Sequence, residues 1–89
     1  MDLDKEKIRG NDANFILNHD IFREAWKSAE DGLAKARVKV ALKDTEMHTR
    51  LIMAEQVLDI VRKYIEGVVQ TGQMADMQLK AKPRFNVFR

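Results

Sequence analysis

In an 89-residue chain without cysteine, chemistry would have to come from histidine, serine or paired acids, and each of these is badly placed for it. His19 and His48 are the only imidazoles. A helix-borne metal ligand needs a second ligand three or four residues away, where His48 has Leu51 and Ile52. His48 therefore reads as an exposed first-turn residue and His19 as a local cap. Ser28, the only serine, sits mid-helix with no histidine one turn along its face and no glycine-rich elbow around it. The adjacent acids Glu30 and Asp31 suit a solvated face, and nothing shields either carboxyl so as to raise its pKa for acid catalysis. There is no phosphate-cradling glycine loop. The expectation is a non-enzymatic protein with no catalytic, cofactor-binding or metal-binding residue.

Two residue sets could still act by binding. Lys35, Arg37, Lys39 and Lys43 place four cations in nine residues, and Lys80, Lys82, Arg84 and Arg89 add four near the C-terminus. Together they are candidate phosphate contacts, set against the plainer reading of a solvated helix face and a free tail. The turn and short recognition helix of a helix-turn-helix module are missing, so any nucleic-acid contact would be directed at the backbone. The second set is an apolar stripe, Met53, Val57, Ile60 and Tyr64, joined by the tail aromatics Phe85 and Phe88. It reads either as a subunit or partner interface, or as a surface covered from within by Phe15-Ile16-Leu17 or by Met74, Met77 and Leu79.

The elements that must position these sets are helical. From about Thr45 to Thr71 one stripe, Met47, Leu51, Ala54, Leu58, Val61, Ile65 and Val68, is spaced alternately by four and three residues. From about His19 to Lys43 the same spacing links Phe22, Trp26, Ala29, Leu33, Ala36 and Val40. This is the seam of two helices packed at a shallow angle, and the near absence of a linker at Lys43-Asp44 implies antiparallel neighbours. Folded back there, facing residue numbers sum to about 87. Ala36 then meets Leu51, Leu33 meets Ala54 and Ala29 meets Leu58, a large residue against a small one each time.

Shorter pieces flank this pair. Residues 1–11 end in Gly10-Asn11 and read as a flexible lead-in or a short turn stopped by the glycine, after which Asp12 caps a short helix carrying Phe15, Ile16 and Leu17. Asn18 is the expected N-cap of the next helix. Gly72 is the expected stop of the long one, followed by another short helix that Pro83 ends and a basic, aromatic tail over 83–89. The predicted fold is thus all-α, one domain over 1–89, an antiparallel helical hairpin (about 19–43 and 45–71) with short flanking helices at both ends.

Composition limits the class. A chain this short buries only about 60–65% of its unfolded surface and is marginal alone, so a partner would help it. Without cysteine, neither disulfides nor thiolate metal sites can supplement the core, and an intracellular protein is the expectation. The charged MDLDKEKIRG start is unlike a secretory signal, and no apolar run approaches a membrane span. The net charge of +2 is unevenly spread: −2 over residues 1–20, +3 over 21–43, −3 over 44–79 and +4 over 80–89.

The run Leu17-Asn18-His19-Asp20-Ile21-Phe22 with Ala25, together with Arg62-Lys63-Tyr64-Ile65-Glu66, Gly72, Ala75 and the basic end, resembles a group of small helical proteins of tailed bacteriophages and prophages. The likeness spans roughly Asp12 to Pro83. Where such proteins commonly open the second helix with Asp-Pro, this chain has His19-Asp20. The resemblance implies a phage product in the host cytoplasm or on the virion, acting in particle assembly, DNA packaging or takeover of the host. Its expected partner is a second copy or another phage protein, with nucleic acid as the alternative in a packaging factor like a small terminase, and no membrane. A third reading is an inhibitor or small-ligand sponge directed at a host defence protein. No catalytic residue is transferred.

Overall fold

The computed structural model describes residues 2–87, with side chains described through Ala81. Among them the chain is all-α, with helices α1 (Leu3–Asn18), α2 (Asp20–Lys39) and α3 (Thr45–Val87) and no strand. They form two compact units, one of α1 with α3 from Tyr64 onward, the other spanning His19–Lys63.

Helix α1 is where the structure departs most from the sequence-based expectation. Residues 3–11 are helical and continuous with the piece expected to begin at Asp12. The Asp2 carboxylate caps the start, accepting from the amides of Asp4 (3.0 Å) and Lys5 (3.3 Å), and Asp4 and Glu6 put acids at the positive end of the dipole. Gly10 does not stop the helix, because its φ is negative and its role is close approach. A Cβ built on it would lie 2.7 Å from the Gly72 Cα, and one built on Gly72 would lie 2.6 Å from the Gly10 Cα and 3.0 Å from the Glu6 carbonyl oxygen. Two backbones therefore touch where no side chain fits. Ala13 and Ala75, the most buried apolar residues described, continue the contact on either helix. The Lys7 ammonium meets the Asp76 carboxylate at 3.1 Å on its flank.

For the same reason α3 does not end at Gly72. Neither this glycine nor any described residue has positive φ, and the helix continues through Pro83 to Val87. Pro83 has no amide hydrogen, so the Leu79 carbonyl loses one helical donor without the helix ending there. The four-three spacing of the expected stripe, taken to Val68, carries on through Gly72, Ala75 and Leu79, all buried or half-buried.

In the second unit the caps are local and polar. His19 Nδ1 accepts from the Ile21 amide at 3.3 Å and so caps α2, whereas Asn18, the expected cap, turns back to the end of α1 and donates to the Asn14 carbonyl at 2.8 Å. Helix α2 ends at Lys39, earlier than expected. Residues 40–44 make the turn, and the Asp44 carboxylate caps α3 by accepting from the Met47 amide at 3.0 Å. Phe22 and Trp26 stack with ring centroids 5.4 Å apart. Trp26, Leu33 and Ala36 on α2 and Leu51, Ala54 and Leu58 on α3 are half-buried, while Ala29, Met47 and Val61 of the expected seam are exposed. Arg37 donates to both oxygens of Glu55 (3.2 and 3.3 Å), and Arg62 lies 4.0 Å from Glu30. The two pairs are one heptad apart on each helix with the order reversed, and each sums to 92, about five residues from the expected register.

Candidate functional site

Among the residues expected to do no chemistry, His48 differs in its surroundings. It is half-buried, and its Nε2 lies 3.1 Å from the Ala41 carbonyl oxygen. A carbonyl can only accept, so in this contact Nε2 carries the proton and the ring ties the turn to the first turn of α3. Ser28 and Asp31 are exposed, and Glu30 faces Arg62. No group of three His, Cys, Asp or Glu among the described residues could hold a metal ion, and no described helix is long and apolar enough to cross a membrane.

The candidate phosphate contacts separate into groups. Arg37 is committed to Glu55, and Lys80 to Asp76 at 2.9 Å. Lys35, Lys39 and Lys43 are exposed around the end of α2 and the turn. The side chains of Lys82, Arg84 and Arg89 lie outside the described residues. Two of the five described cations thus already have a carboxylate, which lowers the positive potential they could offer a phosphate.

Asp76 joins the two helices of its unit. Its pKa is lowered from the ordinary value of 3.8, chiefly by the hydrogen bond from Lys80 and then by that from Lys7, against a smaller opposing effect of burial. A depressed carboxylate contributes stability that is present above its unfolded pKa and is lost as pH falls through the folded one. Acidifying from pH 5 to below the folded pKa should therefore loosen α1 from α3. Amide exchange along α1 followed against pH tests this, and Asp76→Asn should remove the dependence.

A groove of about 350 Å³ lies between α2 and α3 within the second unit, with Trp26, Leu33 and Leu58 in its lining and both Arg–Glu pairs at its rim. Each guanidinium faces a carboxylate there, so neither is presented to an incoming anion.

The apolar stripe has the most open geometry. Met53, Val57, Ile60 and Tyr64 are 58%, 57%, 65% and 67% exposed along one face of α3. Of the residues expected as internal cover, Phe15, Ile16, Met74 and Met77 are largely exposed, whereas Leu17 and Leu79 are half-buried. Phe85 and Phe88, the aromatic part of the same expected surface, fall outside the described side chains. Charges beside the stripe are paired within the helix, Arg50 with Glu46 at 2.7 Å and Lys63 with Asp59 at 2.8 Å. What the sequence reading missed is how little is enclosed. Among the described residues only Ala13 and Ala75 form a buried apolar core, and no large side chain is fully buried. The signal was present in the sequence, since two stripes on one helix leave one over when the helix has a single neighbour on each stretch.

Comparisons with protein-family models, with curated proteins and with solved structures return no match to this chain.

Proposed function

We propose that this chain is a non-enzymatic interaction protein that oligomerises or binds a partner through the Met53, Val57, Ile60 and Tyr64 face of α3. The finer architecture belongs to the same reading: α2 and the first half of α3 form an antiparallel hairpin that presents the face, its cross-helix ion pairs Arg37–Glu55 and Glu30–Arg62 each summing to 92 rather than the expected 87 or so. The observation that carries the proposal is the exposure of four consecutive stripe residues where, among the described residues, the buried apolar core is two alanines. An isolated 89-residue domain has little stability to spare, so apolar area of this size favours association. The phage resemblance supplies the setting, in which the expected role is virion assembly or DNA packaging.

Light scattering on the purified chain tests it. The expected result is a mass above one chain at micromolar concentration, together with a melting temperature that rises with protein concentration, as only an associating species shows. A strictly monomeric species whose melting temperature is independent of concentration would remove the main support.

A second reading, backbone-directed nucleic-acid binding, is favoured by the exposure of Lys35, Lys39 and Lys43 around one turn. Its mark is salt: binding that weakens steeply between low and physiological salt and drops when Lys80, Lys82, Arg84 and Arg89 are neutralised. No binding at low salt excludes it.

A further inference from the structure

We infer that the tip of the second unit, where α2 turns into α3, docks on a bilayer surface that carries anionic headgroups. All of its residues lie within His19–Lys63, and it uses none of the Met53, Val57 and Ile60 face. The first observation is exposure. Leu42 and Val38 are 92% and 86% exposed, more than any other large apolar residue described. Leu42 and Lys43 take the two central positions of the turn, which the Asp44 amide closes by donating to the Ala41 carbonyl at 3.0 Å. Such positions favour Gly, Pro, Asn, Asp or Ser, and a leucine there serves nothing within the turn. The backbone that presents it is braced, since His48 Nε2 donates to the Ala41 carbonyl at 3.1 Å and the Asp44 carboxylate is held by the Met47 amide at 3.0 Å.

The second observation is charge. From Gly32 through Lys43 there is no acid, while Lys35, Arg37, Lys39 and Lys43 fall in that span. Arg37 is taken by Glu55, but Lys35, Lys39 and Lys43 make no ion pair among the described residues. Lys35, Val38 and Lys39, at i, i+3 and i+4, share one face of α2. Aliphatic and ammonium groups are thus interleaved on one tip. A nucleic-acid backbone would engage the lysines and leave Val38 and Leu42 in water. An acidic partner helix docks in a groove, whereas Leu42 stands at the apex of a turn. The interface of an anionic bilayer takes both groups at once, because aliphatic side chains enter the acyl boundary while lysine stems reach back to the phosphates. Such a contact needs no spanning helix.

Co-sedimentation of the full chain with vesicles tests this. The expected result is binding to phosphatidylcholine vesicles containing about 30% phosphatidylserine, weaker at high salt, and none to phosphatidylcholine alone. Lys39→Gln and Lys43→Gln should each weaken it about fivefold, the effect of one cation near such a surface. Leu42→Asp should weaken it about tenfold or more, with circular dichroism showing the helices intact, because an exposed aspartate costs the folded chain little. The chain has no cysteine of its own, so Leu42→Cys can carry a polarity-sensitive nitrobenzoxadiazole label. Its emission should shift to the blue on the anionic vesicles, whereas the same label on Ser28→Cys should not shift. No binding to the anionic vesicles overturns the inference, as does equal binding to both kinds. Binding that Leu42→Asp leaves unchanged, with no blue shift of the Leu42→Cys label, would place the contact elsewhere in the chain and overturn it likewise. Binding to a DNA duplex that falls with Lys39→Gln and ignores Leu42→Asp, without vesicle binding, would overturn it in favour of the nucleic-acid reading.

Discussion

Replacing Gly72 with valine should separate α1 from α3. Even the first added carbon would stand 2.6 Å from the Gly10 Cα and 3.0 Å from the Glu6 carbonyl oxygen, and both are backbone atoms with no rotamer to move. The helices must part by an ångström or more, which loosens the Ala13 and Ala75 contacts and lengthens Lys7–Asp76. Overpacking of this kind typically costs about 1–3 kcal/mol. A domain this size holds roughly 4–13 kcal/mol in all, so the expected fall in melting temperature is about 10 °C. Amide exchange should show protection lost along α1 and retained in α2. Gly32→Ala is the matched control, since a Cβ there meets nothing within 4 Å and the helix gains about 0.5–1 kcal/mol. If Gly72→Val melts like the unsubstituted chain, the glycine crossing does not hold α1.

Ile60→Asp should abolish association while leaving the α2–α3 pairing intact. In a single chain Ile60 is 65% exposed, so an aspartate there meets water, and surface changes usually stay within about 0.5 kcal/mol. In an assembled state the same carboxylate would be desolvated against apolar side chains, at a cost of several kcal/mol. A loss of about 3 kcal/mol weakens association more than 100-fold. Light scattering should then report one chain where the unsubstituted protein forms an oligomer, and its melting temperature should no longer depend on concentration. An Ile60→Asp chain that unfolds, set against an unsubstituted chain whose melting ignores concentration, would make the stripe part of the monomer's own core. The basic, aromatic tail would then remain as a candidate binding surface.

The two substitutions address different parts of one helix. Gly72 lies where α3 meets α1 within the chain, and Ile60 lies where α3 meets nothing described. Local chemistry separates them poorly, because both positions continue four-three stripes of the same helix.

The all-α class and the approximate positions of α2 and the start of α3 were legible in the sequence, because each depends on residues within one or two turns of one another. Apolar period and capping are local properties, and short-range spacing suffices to read them. The ends of the helices were not legible. Gly10 and Gly72 carry the same residue signal whether they stop a helix or let two helices touch, and only the tertiary contact between them decides. At Gly10 and Gly72 an added Cβ would stand 2.6–2.7 Å from the other helix's backbone, so there glycine is the residue that the crossing requires. Asn18 is similar: its amide could serve the helix behind it or the one ahead, and the structure spends it on the Asn14 carbonyl. The chain by itself therefore determined which faces are apolar. Which of those faces is closed within the chain, and which is left for another molecule, was decided by the packing of α1 and α2 on α3.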